Sequence, residues 1–279
     1  MVYVSSPKMA DFVEKENNKV GSHIEVYSTF IGDSQGFLSM EKEGSDHGGA
    51  NKTYSFADYR RIIFSRDSSA SGWVFPLTTI TNVTVIENTT VTFAENITIE
   101  SGGALVIKNS RVLFKSDFDV VCIRVLSGGN LTIVNSTLKP KDYYSYYAII
   151  ASEWSRIRIA YSTILGGGYY WDLHALSVYT SDATIINTTF SDCLAAVYIE
   201  GATSVSISNS TFKLSSPWHI KIVKSLNVMI DSCKFICRET SPGFIMTIYV
   251  PGVIIEGSSS ITIRDCMFEY CSTAIDIQN

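Results

Sequence analysis

The sequence predicts an all-β solenoid of about eight coils with an irregular N-terminal cap. A short motif recurs along the chain, its apolar residues alternate with period two, and one segment per copy absorbs the changes in length. With Asn109 as register zero, apolar residues stand at minus four and minus two, and another at plus three. The pattern returns at Asn135, Tyr161, Asn187, Asn209, Ser232 and Asp265, with a weaker copy at Asn88. The leading pairs are Leu105/Ile107, Leu131/Ile133, Ile157/Ile159, Ala183/Ile185, Val205/Ile207, Val228/Ile230 and Ile261/Ile263. Alternation of this kind makes a strand with one buried face, and recurrence makes a stack of such strands.

Residues at plus three (Val112, Leu138, Ile164, Phe190, Phe212, Phe235 and Phe268) carry the chain past the bend into another strand. A further alternating strand follows, with pairs such as Ile123/Val125, Ile149/Ala151, Val197/Ile199 and Ile275/Ile277. The gap from there to the next copy is nearly constant, so the variation in spacing falls before it. Short strands, a period in the twenties and one elastic turn describe a parallel β-helix. Residues 81–279 are assigned to it. Residues 21–80, which break the register but hold strand-like HIEVYSTFI, TYSF and GWVFPL, are assigned to the cap, and polar residues 1–20 to an extended or mobile segment. The sequence given stops just after the Ile275/Ile277 strand, so the expectation is either a fragment of a longer solenoid or an open coil end, with unpaired edges, that another subunit covers.

Units such as LTIVNSTL (131–138) and VSISNSTF (205–212) resemble the right-handed parallel β-helix (pectate-lyase-like) superfamily. They are most similar to NosD-like and archaeal surface-protein repeats, over roughly residues 82–279. The resemblance implies a right-handed coil. It implies no single activity, because the fold carries lyases, hydrolases, adhesins and structural proteins. In its enzymes, acidic and basic residues face outward on one sheet, which directs attention to Glu200, Lys221, Glu256 and Asp276. Their carboxylates suit general acid and base work across a glycosidic bond; the competing reading is a solvated mixed face.

The 279 residues are 46% hydrophobic and 18% charged, with a formal net charge of -5 and no dense basic run, which argues against nucleic acid. No apolar stretch is long enough for a transmembrane segment. The opening residues lack the hydrophobic centre of a secretory signal. The expected location is extracellular or at the cell surface, with the signal peptide not present in this chain. Six cysteines include two pairs on neighbouring coils, Cys233 with Cys266 and Cys237 with Cys271. Both pairs lie within disulfide reach, the alternative being thiols that act as apolar filler. His23, His47, His174 and His219 are scattered, and neither a metal site nor a cofactor is expected.

Asn suits the bend because it tolerates left-handed backbone. Asn88, Asn135, Asn187 and Asn209 lie in sequons at register zero, where their amides are expected to point inward as a ladder. Asn51, Asn82, Asn96 and Asn130 are the expected glycan acceptors. The elastic turns carry Tyr143, Tyr144, Tyr146, Tyr147, Tyr169, Tyr170, Trp171 and Trp218. Stacked, these form a continuous aromatic patch for sugar rings or a protein partner, unless each loop folds back over its own coil. The functional expectation is a structural or adhesive solenoid that self-associates into a filament, layer or trimer. The alternative is a polysaccharide-active enzyme or sugar-binding module.

Overall fold

A computed structural model describes residues 78–116, 119–169, 173–237 and 250–278 in full. It also describes the backbone of short strands at Val2–Tyr3, Ile24–Glu25, Phe37–Ser39, Thr53–Ser55, Ile62–Phe64 and Trp73–Val74. Three parallel sheets of nine strands each form a solenoid, and every coil gives one strand to each sheet. One coil runs through Ala104–Lys108 in the first sheet, a bend at Asn109, Arg111–Phe114 in the second, and Val120–Val125 in the third. The next coil then opens at Asn130–Val134.

Pairing is in register throughout. Leu105 lies beside Leu131, then Ile157, Ala183 and Val205. Phe190 lies beside Phe212, Phe235 and Phe268. Inward positions therefore stack on their own equivalents and fill one continuous core. The four phenylalanine rings stack face to face with centroids 5.1, 5.1 and 4.7 Å apart, close to the strand spacing itself.

The solenoid begins earlier than the repeat pattern indicates. Among the described residues, Ile62–Phe64, Trp73–Val74 and Thr79–Ile80 are the first strands of the three sheets, giving nine coils where about eight were expected and extending the solenoid back to residue 62 from 81. This coil is hidden in the sequence because no asparagine stands two residues after Phe64 and eight residues separate Phe64 from Trp73. In the remaining cap segment, Val2–Tyr3 pairs with Ile24–Glu25 and Phe37–Ser39 with Thr53–Ser55. Residues 4–23 and Asn51 lie outside the described residues.

The bend is a column of left-handed residues. Asn88, Asn109, Asn135, Tyr161, Asn187, Asn209, Ser232 and Asp265 all have φ between 48° and 53°. Their side chains face outward, which corrects the expectation of inward amides: a left-handed residue turns its own side chain to solvent and the following one to the core. The asparagine amides are exposed, and Asn135 Nδ2 donates to Asn109 Oδ1 across the surface at 2.9 Å.

The inward ladder is built from the next residue instead. Ser110, Ser136, Ser162, Thr188, Ser210 and Cys233 are buried. Ser136 Oγ accepts the Ser110 N–H at 3.1 Å and donates to the Val134 carbonyl at 2.8 Å. Ser162 does the same for Ser136 N–H and the Ala160 carbonyl, and Ser210 for Thr188 N–H and the Ser208 carbonyl. Each hydroxyl thus satisfies a buried amide that the bend withdraws from the sheet.

A histidine stands among the apolar side chains of the core. His219 is fully buried between Phe212 and Phe235, and neither ring nitrogen has a hydrogen-bond partner. Burial pulls its pKa from 6.5 to about 4; the Ile236 backbone opposes this only weakly, since no hydrogen bond forms.

Two outcomes follow from this packing. Ser136→Ala leaves the Ser110 amide without an acceptor and lowers unfolding free energy by about 1–3 kcal/mol in urea titrations. His219 must stay neutral when folded, and its folded pKa is the lower one. The stability it contributes is intact above pH 6.5 and is lost as pH falls from there to about 4. His219→Leu removes that loss, so wild type and variant should diverge by about 3 kcal/mol across the window in unfolding curves taken at each pH.

Candidate functional site

Polar and aromatic side chains converge on the outer face of the third sheet. In-register pairing stacks Ser177, Tyr198, Lys221, Ile254 and Asp276 in one outward column, and Glu200, Val223, Glu256 and Gln278 in a second. Lys221 Nζ reaches diagonally to Glu256 Oε2 at 2.7 Å and sits 5.5 Å from the centre of the Trp218 ring. Tyr198 OH donates to Glu200 Oε2 at 3.0 Å. The Tyr198 ring stacks on His174 at 4.4 Å, and His174 lies 6.0 Å from Trp218. Tyr179 meets Tyr198 edge-on at 6.2 Å.

Of the four expected acid–base candidates, Lys221 and Glu256 meet as an ion pair, and Glu200 stands on the same face bonded to Tyr198. Asp276 does not join them, because the apolar Ile254 lies between it and Lys221, and its Oδ2 accepts from Gln278 instead. Glu200 and Glu256 are two coils apart, about 10 Å by strand spacing, at the far edge of the separation used by inverting glycosidases. Burial, followed by the hydrogen bond and charge of Glu200, pushes the Tyr198 pKa far up, so its hydroxyl remains a neutral donor. With Lys221 matched to Glu256 and Tyr198 to Glu200, the face offers ring surfaces flanked by paired polar groups. That suits holding a ligand more than moving a proton. Among the described residues, no three His, Cys, Asp or Glu side chains converge as metal ligands.

Residues 147–279 match a family model described as right handed beta helix region. The chain is a right-handed parallel β-helix. No curated protein and no solved structure matches it. Similarity to NosD-like and archaeal surface repeats rests on the wording of the units alone.

Along the β-helix, the expected aromatic patch separates into three parts. Tyr143 and Tyr144 are exposed and pack edge-on at 5.3 Å. Tyr146 leans on Tyr169 at 4.7 Å. Trp218 belongs with Lys221 and His174 on the sheet face. Tyr147 is no surface residue: it occupies an inward strand position opposite Val121 and stacks on Phe114 at 4.0 Å. Its hydroxyl lies 3.1 Å from both the Leu138 and Leu165 carbonyls. Tyr170, Trp171 and the GFIMTIYV loop lie outside the described residues, apart from Val250.

His174, Tyr179 and Tyr198 were not among the expected site residues. Tyr179 and Tyr198 do fall in the outward columns, so alternation locates them. His174 precedes its strand, and nothing in the periodicity marks it.

Of the expected acceptors, Asn82 is half-buried, Asn130 opens a strand, and Asn96 is exposed while its Oδ1 accepts the Cys122 N–H at 2.7 Å. The outward bend asparagines stand equally open to solvent. A disulfide joins Cys237 to Cys271, with Cα atoms 4.8 Å apart. Cys233 and Cys266 are not bonded, although adjacent, because both stand in the ladder column and do the work of serines. Cys266 Sγ accepts the Cys233 N–H at 3.4 Å, and each thiol donates to the carbonyl two residues back.

Burial pushes the Cys193 thiol up to about 12 and Cys233 up to about 11, and raises Cys122 and Cys266 as well. Iodoacetamide at pH 7.5 should therefore label native protein only at half-buried Cys266, and slowly. Mass spectrometry of denatured protein should show four reactive thiols, rising to six after reduction.

Proposed function

We propose that this β-helix is an extracellular structural or adhesive subunit that self-associates through its aromatic turn. The observation that carries the reading is the Tyr143/Tyr144 pair, 87% and 55% exposed and packed edge-on at 5.3 Å. Two adjacent aromatic rings open to solvent suit a lateral contact with a second copy. The Cys237–Cys271 bond, which ties the last two coils together, fits an oxidising compartment.

A sugar-binding or polysaccharide-active role is the second reading, favoured by the Tyr198, Trp218, Lys221 and Glu256 face. It is compatible with assembly, since Tyr143 and Tyr144 pack on each other and not on that face.

Sedimentation velocity across a concentration series should show wild type self-associating, and the double variant Tyr143→Ser/Tyr144→Ser sedimenting as a folded monomer with unchanged circular dichroism. Wild type that stays monomeric at the highest concentration removes the assembly role.

A further inference from the structure

Between the third sheet and the next coil, the turn is built from a stacked column in left-handed conformation. Gly102 and Gly128 occupy it at φ 79° and 75°, and Trp154 follows at φ 60°. Backbone bonds confirm the stacking: Gly102 N–H donates to the Gly128 carbonyl at 3.1 Å, and Gly128 N–H to the Trp154 carbonyl at 3.0 Å. Glycine is the residue this backbone favours. A bulky side chain at positive φ is a rare and strained choice, kept where the side chain has a use. Packing supplies none here, because Trp154 is 83% exposed.

The indole borders a groove of about 740 Å³. Tyr179 forms part of its wall, and beside it Arg156 Nε pairs with Asp182 Oδ2 at 2.5 Å. Thr203 Oγ1 donates to Ser181 Oγ at 2.7 Å on the far side. Aromatic surface, hydroxyls and an ion pair presenting both donors and acceptors thus face one space. Because Tyr179 also touches Tyr198, the groove continues onto the polar sheet face.

We infer that this groove is a binding site for neutral oligosaccharides, with Trp154 as the stacking platform. A pyranose lays its C–H face on an exposed indole while its hydroxyls reach the Arg156–Asp182 pair and the Ser181/Thr203 hydroxyls. Charge selects among sugars: Glu153 and Asp182 outnumber Arg156 in the lining, which repels polyuronates. The groove lining does not include Tyr143 or Tyr144, so the site is independent of assembly through that pair, and Tyr143→Ser/Tyr144→Ser should leave it intact.

The test is an array of neutral and uronic-acid oligosaccharides, followed by calorimetric titration of the best neutral binder. Trp154→Gly restores the residue that the column favours, so its Tm should be no lower than that of wild type. Its affinity should fall about tenfold or more. Trp154→Phe, which keeps both a ring and the positive φ, should fall between the two. Undiminished binding by Trp154→Gly, an array bound only through uronic acids, or no neutral binder at millimolar concentration overturns the inference. A Tm for Trp154→Gly well below wild type makes the indole a packing element and overturns it too. So does a dimer of the chain that dissociates in Trp154→Gly without any sugar dependence.

Discussion

In-register parallel pairing is the constraint on which the rest of the molecule depends. Once each strand lies beside its equivalent at about 4.8 Å, a residue's neighbours above and below are the residues of its own column. Like then meets like, and only side chains that tolerate their own company persist. Phenylalanine does so by stacking, as from Phe190 to Phe268. Serine does so by accepting one amide and donating to one carbonyl, as at Ser136. Cys233 and Cys266 show how narrow the requirement is, since a thiol can replace the hydroxyl and keep the bond.

Outward columns carry no such requirement, so departures there are informative. The bend accepts Tyr161 among asparagines, and the turn accepts Trp154 after two glycines, although both residues are large and both backbones left-handed. On the third sheet, Tyr198 and Lys221 replace small or apolar outward residues and bring Glu200 and Glu256 into pairs. These side chains stand on strands and tight turns whose positions the core has already fixed, which gives any ligand a rigid surface. The groove at Trp154 and the face at Tyr198 meet at Tyr179.

Much of the fold was legible because period-two alternation and a constant turn report burial directly: Leu105, Ile107, Ile133 and Phe212 all lie where the pattern puts them. The first coil was hidden by the long segment before Trp73 and the missing bend asparagine. The direction of the bend amides was misjudged because periodicity locates a corner without giving its φ, and φ decides which neighbour faces inward. The sheet-face cluster was half legible. Alternation placed Glu200, Lys221 and Glu256 outward, but diagonal contacts such as Lys221 to Glu256 depend on side-chain reach. Tyr147 was misread because its YY sequence looks alike on both faces, whereas the strand buries one ring and leaves its neighbour half-buried on the other face. Trp154 sits in a turn of constant length, where only comparison with Gly102 and Gly128 reveals that it is out of place.

Hydrogen exchange of the bend amides addresses the column most directly. If the hydroxyl ladder closes the bends, the N–H groups of Thr89, Ser110, Ser136 and Thr188 exchange as slowly as the central strand amides of Leu131 and Ile133, through global unfolding alone. Exchange at those four positions as fast as in an unstructured peptide would contradict the account.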